Sequence, residues 1–166
     1  MNGKGKLFEG TRLTRSRVRG KMVKGGKDLE RSAMHLLHRA GQCAADIFSS
    51  EARTSGLTPR QFAVLMVVSE EEGLTQTDLV ERTGIDRSTL ADIVGRLLGR
   101  GLIQRRRAKD DARAYAIKLT PQGAKTLREA QPGATATDQK LLASLSPAKR
   151  QEFLESLNLI VTAIRK

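Results

Sequence analysis

Arginine, serine and threonine side chains gather at the start of one predicted helix. In GIDRSTLADIVGRLLGRG, apolar residues recur at helical spacing and form one face, made of Leu90, Ile93, Val94, Leu97 and Leu98. The opposite face carries polar and charged side chains, namely Arg87, Ser88, Asp92 and Arg96. Guanidinium and hydroxyl groups on an exposed helix face can donate hydrogen bonds to phosphates and base edges. This pattern therefore predicts contact with nucleic acid.

Two β-rich runs follow this helix and surround a polar connector. LIQRRR and YAIKLT flank AKDDARA, in which Asp occupies two positions. A helix with an exposed Arg/Ser/Thr start, followed by a basic β-hairpin, is the layout of a winged helix-turn-helix. Such a unit places its helix in the major groove and its wing against the flanking backbone or minor groove. The segment thus predicts a DNA-binding chain.

Polar capping residues predict where the other helices begin. The predicted starts are Thr58-Pro59, Thr75, Asp86, Thr120-Pro121 and Ser146-Pro147. Gln61 and Asp78 lie three positions after Thr58 and Thr75, which predicts a cap reinforced from the third helical position at each site. Gly73 and Gly84 predict helix ends, and FAVLMVVS predicts a central buried helix. The long helix after Thr120 is expected to bend or break near Pro132-Gly133.

The first and last helices carry apolar stripes that exceed what one small domain can cover. In the first helix, expected from about Leu29 to Ala52, the stripe comprises Leu36, Leu37, Ala40, Cys43, Ala44, Ile47 and Phe48. In the last helix it comprises Phe153, Leu154, Leu157, Ile160, Val161 and Ile164. These faces could pack on the core of the same chain, but we favour pairing with a second copy.

These elements predict a mainly α fold with a small β-hairpin wing. The expected organisation is a basic flexible arm at 1–28, dimerisation helix 1 at 29–56, a winged helix-turn-helix domain at 57–120 and C-terminal dimerisation helices at 121–166. Met22 is an alternative translation start within the arm.

Bulk composition excludes several classes of protein. Of the 166 residues, 39% are hydrophobic and 3% are aromatic, which predicts an aliphatic core. No apolar run is long enough to span a membrane and no signal-type segment follows the basic start, so a cytoplasmic location is expected. One Cys and two His give neither a disulfide framework nor a metal site. Without a phosphate-binding Gly-rich motif or a nucleophile elbow, we expect neither an enzyme nor a cofactor.

Positive charge is unevenly distributed along the chain, whose net charge is +12. Residues 1–27 carry nine Lys and Arg against one Glu, and residues 96–113 carry seven against two Asp. Between these segments, residues 28–95 contain eleven acids and six basic residues. A polyanionic partner explains basic charge concentrated near the wing, because phosphate neutralisation releases counterions.

From His35 onward the chain resembles the MarR family (multiple antibiotic resistance regulators). The segments LTPRQFAVL, LTQTDLVERTGIDRSTLADIVGRLLGRGLIQRR and DDARAYAIKLTPQG occur in the family's order and spacing. The resemblance implies a homodimer with interlocking terminal helices that reads a pseudo-palindromic double-stranded operator. It further implies a repressor that a small, often aromatic or acidic ligand releases from DNA.

The resemblance also implies roles for individual residues. Arg87, Ser88 and Thr89 would begin the recognition helix and meet bases and phosphates, and Arg96 would hold a phosphate. Asp111 and Arg113 match the family's Asp-x-Arg wing signature, whose arginine enters the minor groove. Ala112 stands where many relatives carry a second wing arginine. Basic residues that could compensate by contacting the backbone are Arg105, Arg106, Arg107 and Lys109.

Two features of the first helix suggest what the protein could sense. His35, His38 and Arg39 share a helix face, which suggests an anionic effector such as an aromatic acid or its acyl-CoA thioester, although they could equally be solvated or interface residues. Cys43 suggests a redox alternative, but its position in the apolar stripe predicts a buried, unreactive thiol. A sequence-indifferent architectural DNA-binding protein is the remaining alternative.

Overall fold

The computed structural model describes residues 28–71, 73–107 and 115–164, with the backbone alone at residue 164. The chain forms two compact units, Met1–Leu36 and Leu37–Lys166. In the first unit, a 3-10 helix at Leu29–Arg31 ends at Ser32, whose backbone is extended, and α1 (Ala33–Glu51) begins immediately afterwards. The single helix expected from Leu29 is therefore wrong in its first turn. Apart from Asp28, the predicted basic arm lies outside the described residues.

The second unit contains the rest of α1, a hairpin and the remaining helices. Its elements are a 3-10 helix at Arg53–Ser55, α2 (Pro59–Glu70), α3 (Gln76–Thr83), α4 (Arg87–Gly99), β1 (Ile103–Arg107), β2 (Tyr115–Leu119), α5 (Pro121–Leu141) and α6 (Pro147–Ile164). The predicted mainly α fold with a β-hairpin wing is thus confirmed.

Local capping interactions explain why these helices start where they do. The Thr58 hydroxyl accepts the Gln61 N–H at 3.3 Å, and the Gln61 side chain accepts the Thr58 N–H at 3.1 Å. Thr75 and Asp78 form the second reciprocal pair, in which Asp78 Oδ2 accepts the Thr75 N–H at 2.7 Å. Both predicted pairs are confirmed. Each satisfies backbone donors that the helix itself leaves free.

The core of the second unit lies between α2, α4, α5 and the base of the hairpin. Its fully buried large side chains are aliphatic, as the composition predicts: Val64, Leu65, Leu79, Leu90, Val94, Leu97 and Ile117. Four of the five apolar residues expected on α4 are buried, and Leu98 packs against their cluster. Burial of one entire face fixes which face of α4 points outward.

The hairpin is attached to the helices through its second strand. β1 pairs antiparallel with β2, with Ile103 opposite Leu119 and Arg107 opposite Tyr115. The Ile117 N–H donates to the Leu74 carbonyl at 2.8 Å, so the hairpin base is bonded to the segment before α3. The connector between the strands, residues 108–114, lies outside the described residues.

The predicted end of α2 at Gly73 and the predicted break in α5 are wrong. α2 ends at Glu70, before Gly73, which lies in the following loop with φ of 91°. α5 continues without a break through Pro132. Buried residues on both sides of the proline, including Leu127 and Thr137, hold this helix against the core, and tertiary packing overrides the lost backbone donor.

The two outer helices leave much of their apolar stripes exposed. In α1 only Phe48 is buried, and Leu37 remains 44% exposed. In α6 the exposed apolar side chains are Phe153, Leu154, Leu159, Ile160 and Val161. Cys43 is also exposed, which corrects the expectation of a buried thiol, since the core of this chain does not reach that part of the stripe. Among the described helices, none has the length and apolarity that a membrane span needs.

Candidate nucleic-acid interface

The outer face of α4 presents the candidate DNA-contacting side chains. Arg87, Ser88 and Arg96 are exposed, whereas Thr89 is half-buried. Because the opposite face is packed into the core, these groups cannot turn inward without unfolding the unit. Arg87, Ser88 and Thr89 thus lie in the first turn of α4, and Arg96 lies in its last turn.

Asp86 organises the first turn of α4. Its Oδ1 accepts the Thr89 N–H at 2.9 Å and the Ser88 hydroxyl at 2.6 Å. The Ser88 hydroxyl bond and the bonds from Thr89 lower the pKa of Asp86 well below its ordinary value, so the carboxylate stays ionised at neutral pH. With its proton engaged by Asp86, Ser88 offers an incoming group only acceptor lone pairs. Arg87 is the residue of this turn whose donors are most available.

Arg96 lies about two and a half turns beyond Arg87, also on the exposed side of α4. Its Nη2 is 2.9 Å from Asp92 Oδ2, and both side chains are largely exposed. An exposed ion pair between residues four apart contributes only about 0.3–0.5 kcal/mol. A phosphate can therefore replace Asp92 as the partner of Arg96 at low cost.

β1 adds three consecutive exposed arginines, Arg105, Arg106 and Arg107. They alternate between the two faces of the hairpin, opposite Ile117, Ala116 and Tyr115 of β2. This places positive charge on both sides of the wing stem. The remaining predicted wing residues, Lys109, Asp111 and Arg113, lie outside the described residues.

Gln76 and Thr77 are candidate residues that the sequence analysis missed. They line a shallow cleft of about 350 Å³ together with Arg87 and the start of α4. Both belong to the first turn of α3, directly after the Thr75 cap. That cap is the sequence signal that could have identified them, because first-turn backbone N–H groups are free to meet a phosphate.

A separate groove of about 1070 Å³, open to solvent, lies between α1 and the start of α2. Its lining is mostly apolar and comprises Leu37, His38, Gly41, Gln42, Ala45, Thr58, Pro59 and Arg60. Of the predicted ligand residues in this unit, His38 lines the groove, whereas Arg39 is exposed and does not. Arg60, which the sequence analysis missed, supplies the guanidinium. His35 lies in the first unit, half-buried, and its backbone N–H donates to Ser32 Oγ at 3.3 Å.

Comparison with known proteins identifies relatives over most of the chain. Residues 55–114 match the model of the MarR family. A transcriptional regulatory protein for the hcr operon of Thauera aromatica is 35% identical over 68% of this chain and 69% of its own. The transcriptional repressor NicR of Pseudomonas putida is 30% identical over 81% of this chain and 85% of its own. These relatives are regulators rather than enzymes.

Solved structures agree with this relationship. BpsR of Bordetella bronchiseptica, whose DNA binding is regulated by 6-hydroxynicotinic acid, is 30% identical, with a TM-score of 0.75 over 80% of this chain and 94% of that one. The repressor CouR, solved on a 23-mer DNA duplex, is also 30% identical, with a TM-score of 0.73 over 81% of this chain and 95% of that one. Sequence motifs, fold and relatives lead to one conclusion: the chain belongs to the MarR family of transcriptional regulators.

Proposed function

We propose that this regulator is a homodimeric repressor that a small anionic aromatic ligand, or its acyl-CoA thioester, releases from a pseudo-palindromic operator. In this proposal residues 57–120 bind DNA, and residues 29–56 and 121–166 form the dimer. Residues 1–28 are a basic arm that adds charge near the DNA or the ligand.

The observation that carries the proposal is the outer face of α4. Arg87 and Arg96 stand on a helix whose other face is buried, and the arginines of β1 stand beside it in sequence. Arg87 can donate two hydrogen bonds to guanine O6 and N7 from the major groove. The exposed wing-stem arginines suit the flanking phosphates. One unit can therefore both recognise the base sequence and fix the position of the protein on the DNA.

Dimerisation is supported by the apolar faces of α1 and α6. A stable folded monomer seldom leaves a row of large apolar side chains such as Phe153, Leu154 and Ile160 in water. A second copy covers them with an identical face related by twofold symmetry. Two α4 helices about 34 Å apart would then enter successive major grooves of one operator.

The ligand proposal rests on the groove between α1 and α2. Its apolar lining suits an aromatic ring, and Arg60 can hold a carboxylate through two parallel hydrogen bonds. His38 supplies a second polar group on the opposite wall. An aromatic acid fits this chemistry, and 6-hydroxynicotinic acid, which regulates DNA binding of BpsR, is the first compound to test. Release follows if the ligand binds the DNA-incompatible conformation more tightly.

A redox-sensing alternative depends on Cys43. Its exposure in one chain makes a reaction with peroxide sterically feasible. The proposed dimer covers the same face of α1, which would protect the thiol. Native thiol labelling decides between these alternatives, because rapid labelling of the dimer at neutral pH would favour the redox sensor.

Operator binding is the primary test. Binding of the DNA upstream of its own gene is measured at fixed salt, with random DNA as competitor, before and after adding aromatic acids and their CoA thioesters. We expect at least roughly 10³-fold preference for the operator and its loss with one compound. Equal binding of both DNAs would favour the architectural alternative, with genome-wide site mapping to test for a distant operator.

Variants assign the DNA contacts. Arg87→Ala should weaken operator binding by about tenfold or more and relax specificity, because a base contact is lost. Arg96→Ala should weaken operator and random DNA together and reduce the salt dependence, because a phosphate contact is lost. Arg128→Ala, on the exposed surface of α5, is the charge-matched control.

Arg113→Ala tests the proposed role of the wing in DNA binding. Unchanged affinity for the operator at physiological salt would argue against that role.

A paired substitution tests the ligand groove. Arg60→Ala should weaken binding of the active acid about tenfold in calorimetry, because the carboxylate loses a charged partner. Arg39→Ala removes the same charge from α1 outside the groove and should leave affinity unchanged. If Arg39→Ala has the larger effect, the groove assignment is wrong.

A further inference from the structure

Arg100 connects the end of α4 to a backbone turn that is distant in sequence. It directly follows Gly99, the last residue of the helix. Its Nη1 donates to the Gly56 carbonyl at 2.9 Å, and its Nη2 donates to the Ser55 carbonyl at 3.2 Å. One guanidinium therefore holds two successive carbonyls with its two terminal nitrogens. This is a geometry that Arg, with its planar fork of donors, achieves better than Lys.

The two acceptor carbonyls are held in place by interactions that do not involve Arg100. They belong to the α1–α2 junction, defined here as residues 52–58. Ser55 is buried, and its hydroxyl donates to the Ala52 carbonyl at 2.7 Å and accepts the Leu57 N–H at 3.3 Å. Gly56 adopts a left-handed conformation with φ of 59°. A rigid pair of acceptors can act as a reference point for the helix that binds it.

α5 holds the junction from another side. At Gly133 the backbones approach so closely that an added Cβ would lie 2.8 Å from the Cα of Ala52. Thr58, the last residue of the junction, and Pro59 form part of the groove wall and begin α2. The junction is thus anchored to α5 and to the start of α2, and Arg100 anchors the end of α4 to it.

We propose that Arg100 is a positioning residue that sets the direction of α4 and thereby determines operator preference. α4 has 13 residues and is about 20 Å long. Over this length, a tilt of about 5° at its end moves Arg87 by about 2 Å. Hydrogen bonds to base edges do not survive such a displacement, whereas attraction to phosphates does. Loss of the Arg100 contacts should therefore lower preference for the operator more than affinity for DNA in general.

The first test measures operator binding, so it rests on the proposed function. Full-length Arg100→Met keeps an apolar stem and removes the charge and all donors, Arg100→Lys keeps the charge, and Arg128→Met is the control. Affinities for operator and random DNA are measured over a range of salt, with dimer state and melting temperature recorded. For Arg100→Met we expect operator affinity to fall about tenfold and random-DNA affinity to change less than about twofold. Arg100→Lys should recover only part of the preference and keep the wild-type salt dependence.

Two outcomes overturn the proposal. If Arg100→Met weakens operator and random DNA equally and Arg100→Lys restores both, Arg100 is a phosphate contact. If Arg100→Met keeps the wild-type ratio of the two affinities, Arg100 does not position α4. A wild-type protein with no preference for any DNA would instead contradict the proposed function.

A measurement without DNA separates these failures. Amide hydrogen exchange of the full chain reports on the backbone bonds at both ends of the Arg100 link, including Ser55 N–H to Ala52 O and Leu102 N–H to Leu97 O. We expect faster exchange in residues 53–58 and 96–102 of Arg100→Met, with exchange elsewhere unchanged. Unchanged exchange in both segments would overturn the positioning role whatever the DNA results are.

Discussion

The winged unit, which runs from α2 to β2, and the two outer helices, α1 and α6, use apolar side chains in opposite ways. In the winged unit, α4 buries Leu90, Ile93, Val94 and Leu97 and leaves charged groups outside. In α6 no residue whose side chain is described is buried, and most of its large apolar side chains face solvent. In the winged unit, the apolar face that the sequence pattern predicts is buried within one chain. In α6, an equally clear apolar face remains exposed in one chain.

This difference separates folding from assembly. Helix caps of the winged unit come from residues close in sequence, and its core is completed by side chains of the same chain, including Phe48 of α1 and Leu127 of α5. The stripes of α1 and α6 have the same apolar character, but one chain leaves much of their surface uncovered. We therefore expect substitutions in the winged unit to change the free energy of unfolding, and substitutions on α6 to change the affinity between copies.

The largest effect is expected at Gly123, where α5 begins against the winged unit. A Cβ at this position would lie 1.9 Å from the Leu102 carbonyl oxygen, which also accepts the Thr120 N–H. Gly123→Ala should therefore cost about 3 kcal/mol or more in urea unfolding, because backbone must move. Gly95→Ala is the matched control: apart from its chain neighbours and the adjacent backbone of α4, no atom lies within 4 Å of its added Cβ, and helix propensity favours Ala there by about 1 kcal/mol. Equal effects at both positions would contradict the packing described for α5.

Adjacent substitutions on α6 test the assembly side of the comparison. Ile160 and Leu159 are both large, apolar and exposed, but consecutive helix residues point about 100° apart, and Leu159 lies outside the predicted apolar stripe. Ile160→Glu should weaken the dimer by about 100-fold in sedimentation analysis, because it places a charge in the proposed interface. Leu159→Glu should leave the dimer intact. A wild-type protein that stays monomeric at high concentration would show that the exposed apolar face of α6 does not pair with a second copy.

A smaller effect is expected from a single cap in the winged unit. Thr58→Ala removes the hydroxyl that accepts the Gln61 N–H and should lower the free energy of unfolding by about 1 kcal/mol. Dimer affinity should not change when it is measured well below the melting temperature. Thr135→Ala, an exposed hydroxyl in the middle of α5, serves as the control and should have little effect on stability.

The smallest expected effect is a pH dependence of stability at Asp78. The Thr75 N–H and then the Thr75 hydroxyl lower the pKa of Asp78 from 3.8 in the folded state. A lowered folded-state pKa stabilises the fold at pH above the unfolded value, and this contribution is lost as the pH falls through the folded value. Urea midpoints should thus decline below pH 3.8, and less steeply in Asp78→Asn. Identical slopes for wild type and variant would show that other carboxylates dominate the acid response.

Local patterns predicted the winged unit well because each signal acts within a few residues. Thr58 with Gln61, and Thr75 with Asp78, determine helix starts through bonds across three positions, and the apolar spacing of α4 determines its buried face. Failures occurred where distant packing decides the outcome. Pro132 does not break α5 because buried residues on both sides hold the helix.

Candidate-site residues were predictable only when they shared one element. The spacing within α4 identifies Arg87 and Arg96 together, but nothing in sequence joins His38 to Arg60, which meet only because α1 and α2 fold against each other. The link between Arg100 and Gly56 spans 44 residues and could not be read from a local pattern. Exposure of Cys43 was mispredicted since an apolar stripe indicates burial without saying which surface provides it.

The close approach at Gly133 has a consequence for the genetics of this regulator. Every missense change of a glycine codon introduces a side chain, and any side chain at position 133 meets the Ala52 backbone. When mutants that have lost regulation are selected, substitutions at codon 133 should therefore be recovered as readily as substitutions at codon 87. A map of such alleles would mark positions where two backbones touch as well as positions where the protein touches DNA.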